Sequence, residues 1–301
     1  MERNTEIEEY LRALPPDASF LVLNAEAEEF FKNETGIQDG DELRRHIVEV
    51  QEDAYKVYPY PCIRGFRFAK LTIAKMPAYP RAIELLKERP DAIFLDMGCC
   101  MGAELRKVVH DGWPVSQVIG ADLEAGFWDV GHKLFRTTPE SYPAKFLAGD
   151  AFDDAYLSPT APVPSGGPPP VASVNTLTEL RGHISVIYAS SFFHLFDEGK
   201  QFDLAKRIGS LLDPRPGSII FGAHGAAPVK GQREGSFRKA FAHSPESWTE
   251  LWEEQVFEKG QVKVTTALVE VDMVAERASQ LLPHLDLRHK PHWLFWSVER
   301  L

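Results

Sequence analysis

The chain has 301 residues, 44% of them hydrophobic, enough to bury a full core in one large domain with an appendage rather than in two equal halves. Its 44 acidic against 33 basic side chains leave a net charge of −11, which argues against a nucleic-acid partner, because binding to that backbone draws on clustered Lys and Arg. No apolar run is long enough to cross a membrane, the first residues lack the basic start and apolar stretch of a signal peptide, and three cysteines cannot build a disulfide framework; the expectation is a cytoplasmic protein without a structural metal.

Residues 1–90 read as an N-terminal helical cap. Predicted helices over Glu6–Leu14, Ala25–Asn33, Asp41–Val57, Arg67–Lys75 and Arg81–Glu88 carry apolar residues at three- and four-residue spacing, and prolines separate them. The first 60 residues hold 15 Asp and Glu against 6 Lys and Arg, read as solvated helix faces. Tyr58, Tyr60, Phe66 and Phe68 then alternate with Arg64 and Arg67. Core packing accounts for most of these rings. Tyr60 and Arg67 are the candidates for a substrate pocket, where an arginine suits a carboxylate.

From residue 91 to 301 strand-like and helix-like runs alternate, the pattern of an α/β protein whose parallel sheet is covered on both faces. The predicted strands are Ile93–Asp96, Gln117–Ala121, Lys145–Ala148, Ile184–Ala189 and Ser218–Ala223, with helices over Glu104–His110, Phe127–Arg136 and Phe202–Leu212. The first strand ends in Asp96 and turns on Gly98 and Gly102, so that the backbone can approach a ligand at a helix N-terminus. A dinucleotide turn wants glycine where Cys100 stands, and Asp96 would set a carboxylate close to a pyrophosphate. S-adenosylmethionine carries a sulfonium and an ammonium instead, which an acid attracts. Asp96-x-Gly98-x-Cys100-x-Gly102 therefore reads as a loop for that cofactor with one glycine replaced.

The second strand ends at Asp122 and Leu123, where an acid can take the ribose hydroxyls or, alternatively, cap the helix that follows. After the third strand come Asp150, Ala151 and Phe152, an acid for the adenine amino group beside a ring for its face. Leu157–Val174, with six prolines and two glycines, reads as a long surface loop, a lid being the alternative. Ser190 follows the fourth strand as a backbone contact to the cofactor. His194 lies a few residues on, a candidate catalytic base that packing among Phe192, Phe193, Leu195 and Phe196 would equally explain. His224, after the fifth strand, is a second substrate-side candidate, and Trp128 and Trp248 are possible pocket walls. A helix over Ser247–Lys259 and two late strands, Val262–Val271 and His292–Val298, suit a hairpin that closes the sheet with an antiparallel edge.

Four segments carry a family resemblance: Tyr-Pro-Tyr-Pro-Cys-Ile-Arg-Gly-Phe-Arg-Phe at 58–68, the glycine turn, Ala-Ser-Ser-Phe-Phe-His-Leu-Phe-Asp at 189–197, and His-Ser-Pro-Glu-Ser-Trp-Thr-Glu-Leu-Trp at 243–252. Residues 50–301 resemble the class I S-adenosylmethionine-dependent methyltransferases, and within them a fungal group of small-molecule enzymes that includes carboxyl-methylating enzymes of meroterpenoid pathways. The resemblance implies a Rossmann-like, seven-stranded, mostly parallel sheet with an antiparallel last strand under a helical cap. It also implies methyl transfer to an apolar secondary metabolite, at a carboxylate or a phenolic hydroxyl. Methylation at nitrogen or carbon stays open, as do a nicotinamide-dependent oxidoreductase, which Asp96 and Cys100 disfavour, and a non-catalytic cofactor-binding protein.

Overall fold

A computed structural model describes residues 5–232, 240–271 and 291–301 of the chain. Its N-terminal part is helical: α1 (Thr5–Arg12), α2 (Ala25–Thr35), α3 (Gly40–Val57), the short α4 (Pro61–Arg64) and α5 (Tyr79–Glu88). Local chemistry sets these boundaries. The Asn24 side chain accepts from the Ala27 N–H at the start of α2, Gly36 ends that helix at φ +74°, and Asp39 accepts from the Glu42 N–H to start α3. The helix expected over Arg67–Lys75 does not form. Two 3₁₀ turns, Arg67–Ala69 and Ile73–Lys75, flank Leu71 at φ +47°, and the N–H groups of Thr72 and Ile73 are drawn off to the Glu104 carboxylate instead of an earlier carbonyl.

The sheet follows in chain order: β1 (Phe94–Met97), α6 (Ala103–His110), β2 (Val118–Asp122), α7 (Ala125–Phe135), β3 (Lys145–Ala148), β4 (Val186–Tyr188), α8 (Glu198–Leu211) and β5 (Ile219–Ala226). A small ribbon, β6 (Gly231–Gln232) with β7 (Phe241–Ala242), and α9 (Pro245–Glu250) lead to β8 (Val262–Glu270) and β9 (His292–Arg300). Strand order is β3-β2-β1-β4-β5-β9-β8. All pairings from β3 to β5 are parallel, and β9 runs against both β5 and β8. The antiparallel strand is thus the last in sequence, and it forms with β8 the hairpin expected to close the sheet, β8 on the outside. β9 buries Leu294, Trp296 and Val298 between its two neighbours, whereas β8 alternates Lys263 and Thr265 with more covered residues and takes the outside. The long connection between these strands lies outside the described residues. The helix expected over Ser247–Lys259 starts earlier, at Pro245 behind a Ser244 cap, and widens into a π-helical stretch, Leu251–Val256.

The cap shares its core with the sheet's helices: Phe30, Phe31, Leu43, Ile47 and Phe66 pack with Met101, Phe127, Leu134 and Phe135 in one apolar cluster. The Pro-rich loop has one 3₁₀ turn, Val171–Ser173, and is pinned by Arg207 to the Leu157 carbonyl, by Arg181 to Pro159 and by His183 to Pro164. Arg181 and His183 precede β4, so the loop lies at the amino end of the strands, away from the glycine turn, and is not a lid over it.

Close approach of α7 to that turn depends on one small residue. A Cβ on Gly131 would lie 2.4 Å from the Met101 carbonyl oxygen, a backbone atom that cannot swing aside. Gly131→Ala is expected to destabilise the chain by roughly 1–3 kcal/mol, as overpacking does, read as a lowered midpoint in urea unfolding.

Candidate functional site

At the carboxyl end of β1 the backbone makes a tight turn. The N–H groups of Gly98 and Cys99 both donate to the Ala121 carbonyl at the end of β2 (2.8 and 3.1 Å), and the Gly102 N–H donates back to Cys99 (2.8 Å). Gly98 and Gly102 have φ of +79° and +69°, and Cys100, at the position where the sequence pattern loses its glycine, still has φ +50°. A side chain there costs about 1–2 kcal/mol in left-handed backbone strain. The Asp122 carboxylate helps hold this geometry, accepting from the Cys100 N–H through Oδ2 (2.8 Å) and from the Glu124 N–H through Oδ1 (3.1 Å). Asp122 thus ties the turn to the segment before α7, but it is not the N-cap the sequence offered as an alternative: the helix begins at Ala125 behind Glu124, which makes no side-chain cap bond. Phe192 covers Gly98, and Trp128 covers Gly102 so closely that a Cβ would come within 2.7 Å of its ring.

A cavity of about 100 Å³ opens beside the turn. Asp96, Gly98, Cys99, Cys100 and Glu104 line one side, Tyr188, Ser190 and Ser191 another, and Cys62, Arg67 and Thr72 enter from the cap. Asp96 is 3% exposed, and its Oδ2 has no hydrogen-bond partner among the described residues. Burial pushes its carboxyl well above the usual range, and the negative charges of Glu104 and Asp122 push it the same way. Burial also raises Asp122, against its backbone hydrogen bonds, and raises the Cys99 and Cys100 thiols. Asp96 is thus buried beside two other acids, and ionising it there calls for a positive charge. A pyrophosphate would face repulsion here; an ammonium or sulfonium would not. Among the described residues, no group of His, Cys, Asp and Glu has the arrangement to hold a metal ion.

Glu104 has no counterpart in the sequence reading. Its Oε1 accepts from the Thr72 N–H and hydroxyl (2.8 and 2.7 Å) and its Oε2 from the Ile73 N–H (3.0 Å), tying the first turn of α6 to the cap. Ser191 was also missed: it lines the cavity at φ +55°, and its Oγ is buried with no partner among the described residues. The neighbouring Ser190 hydroxyl donates to the Ala223 carbonyl (3.0 Å). Asp150 accepts from the Phe152 N–H (3.0 Å), Ala151 is buried in the core, and the Phe152 ring meets Phe196 edge-on.

Two substrate-side candidates lie away from the cavity. His224 is 1% exposed; its Nδ1 accepts from the Trp296 indole (3.0 Å), and Phe193, Trp248 and Trp296 surround it. Its strand is buried along its whole length, so the ring has no open face to offer. Trp248 lies in the same buried cluster and is no pocket wall. Tyr60 packs on Tyr58 and Phe127 between the cap and α7, and Arg64 is spent on the Pro15 carbonyl and the Phe20 ring. Arg67 does reach the cavity, its guanidinium 4.5 Å from the centre of the Trp293 ring. His194 meets another part of that ring edge-on, and its Nδ1 accepts from the Gly225 N–H (3.2 Å).

The seven-stranded sheet with one reversed strand, and an acid-flanked glycine turn at its carboxyl end, define the class I methyltransferase fold. The profile of the meroterpenoid methyltransferase N-terminal domain matches residues 18–69. The chain is 37% identical to O-methyltransferase phiE from a fungal species over 71% of its length and 65% of phiE. It is 30% identical to the asnovolin E/chermesin D methyltransferase nvfJ of Aspergillus novofumigatus over 73% of its length and 72% of nvfJ. To O-methyltransferase atr3 of Stereocaulon alpinum it is 34% identical over 60% of its length and 47% of atr3. The chain belongs to the family of fungal methyltransferases that includes nvfJ. It spans less than two thirds of the length of phiE and atr3.

Proposed function

We propose that the chain is a cytoplasmic, S-adenosylmethionine-dependent O-methyltransferase acting on a carboxylate or phenolic hydroxyl of an apolar small-molecule secondary metabolite. The observation that carries this reading is the buried Asp96 carboxylate, its Oδ2 without a partner among the described residues, in a cavity walled by a glycine turn. Such a group fits the ammonium of the cofactor's methionine end. The names of phiE and atr3 favour oxygen as the methyl acceptor; methylation at nitrogen or carbon is the alternative.

Residues 1–90 serve as the substrate cap and residues 91–301 as the cofactor domain. Gly98, Cys100 and Gly102 present backbone to the methionine portion, Asp122 with Leu123 takes the ribose, and Asp150, Ala151 and Phe152 take the adenine. Ser190 holds the end of β4 in place through its bond to Ala223. The cofactor, when bound, supplies an electrophilic methyl group on a sulfonium. The chain's task is then to keep the acceptor oxygen on the sulfur–methyl axis and to exclude water, which apolar walls and a cap can do without covalent machinery. His194 is the titratable group assigned to the acceptor side.

Titration calorimetry with S-adenosylhomocysteine and with NAD tests the reading. S-adenosylhomocysteine should bind and NAD should not; tighter binding of NAD would end it. Release of S-adenosylhomocysteine from S-adenosylmethionine in the presence of carboxylic or phenolic acceptors separates an enzyme from a protein that merely binds the cofactor.

A further inference from the structure

We infer that Arg67, a cap residue, recognises the carboxylate of the cofactor's methionine end rather than the methyl acceptor, so that the cap itself completes the cofactor site; the inference rests on the S-adenosylmethionine reading above. Four observations lead to it. First, Arg67 lines the same small cavity as Asp96, Gly98 and Glu104, the side of the molecule assigned to the methionine end. Second, its guanidinium makes no hydrogen bond or ion pair among the described residues and lies over the ring of Trp293. Third, a guanidinium placed over a ring keeps its edge donors available, which suits two parallel bonds to a carboxylate. Fourth, the charges are laid out as a zwitterion requires, with Asp96 as the acid for the ammonium and Arg67 as the cation for the carboxylate.

Arg67 stands two residues after Gly65 in the 3₁₀ turn that precedes Thr72, and Thr72 is bound to Glu104 on α6. The segment that carries the guanidinium is therefore fastened to the helix that follows the glycine turn. An acceptor carboxylate would have to share this narrow space, about 100 Å³, with the methionine end.

Calorimetry on the wild-type chain and on Arg67→Gln, with S-adenosylhomocysteine and with its decarboxylated analogue S-adenosyl-3-thiopropylamine, reads the pairing directly. The analogue keeps the ammonium and loses the carboxylate. Wild-type protein should prefer S-adenosylhomocysteine by roughly 10- to 100-fold, the worth of a charge-assisted pair, and Arg67→Gln should lose that preference while binding the analogue as the wild type does. Arg67→Lys should restore part of it. If Arg67→Gln weakens both ligands equally, Arg67 is only a structural support, and the inference fails. If it leaves both affinities unchanged and instead raises KM for a carboxylic acceptor, the carboxylate belongs to the substrate, and the inference fails in that direction. A wild-type chain that binds neither ligand overturns the cofactor reading itself and this assignment with it.

Discussion

Asp96→Asn is expected to weaken S-adenosylhomocysteine binding by about 100-fold and, at the same time, to make the ligand-free chain more stable at neutral pH. Both effects come from one carboxylate. In the ligand-free protein it is buried beside Glu104 and Asp122, with Oδ2 lacking a partner among the described residues, and its proton affinity is raised above the ordinary value of 3.8 by burial first and by those two charges second. A raised carboxyl favours folding fully only below its unfolded value; that contribution is lost as pH climbs through the elevated folded value. The stability advantage of the Asn variant should therefore grow from pH 4 upward, as thermal unfolding of both proteins would register. Ligand affinity has the opposite sign. The ammonium needs an ionised partner, so wild-type affinity should rise with pH and binding should release a proton, and an amide forfeits a charged hydrogen bond worth up to about 3 kcal/mol. Unchanged affinity in a folded Asn variant would remove Asp96 from the cofactor site.

His194→Asn separates two kinds of chemistry. The Gly225 N–H can only donate, so the lone pair of a neutral His194 ring sits on Nδ1 and the proton on Nε2. An imidazole held that way offers a donor, not a base, at its other nitrogen. A carboxylic acid, with a pKa near 4, is already ionised at neutral pH and needs no base, whereas a phenol near 10 must lose its proton on the way to the transition state. Asparagine keeps an oxygen for Gly225 and deletes Nε2. With a carboxylate acceptor the variant should lose less than about tenfold in kcat, and the wild-type profile should be flat above pH 6. With a phenol that His194 serves as base, the loss should be on the order of 10²–10⁴. The bond to Gly225 leaves no lone pair for a base on the neutral ring and so favours a small loss. A phenol methylated at full rate by the variant would strike His194 from the chemistry altogether.

The glycine turn was legible in the sequence because it is local: a strand of four buried residues, an acid and two glycines are written within ten residues. The departures arise where distant residues compete for the same groups. Arg67–Lys75 has helical spacing, yet Glu104 takes the N–H groups of Thr72 and Ile73 from across the chain. Apolar spacing could not tell β8 from β9 as the edge, because that choice follows from which strand's rings fill the gap beside β5. His224 looked available because strand ends border sites; in three dimensions it is enclosed by other rings, while Tyr60 is partly buried against Tyr58 and Phe127.

The grip of Glu104 on Thr72 and Ile73 also bears on how such enzymes can be recombined. Three hydrogen bonds accepted by one carboxylate fix residues 72 and 73 to α6. A chimaera that exchanges the helical cap at residue 90 for that of a relative would import a new partner for an old acid, and the imported segment would settle in a register of its own. The natural seam of the molecule is therefore not at the end of the helical region. It runs through the segment around Arg67–Ile73 and the stretch from Asp96 to Glu104, which must be inherited together if a transplanted acceptor preference is to arrive with a working methyl donor.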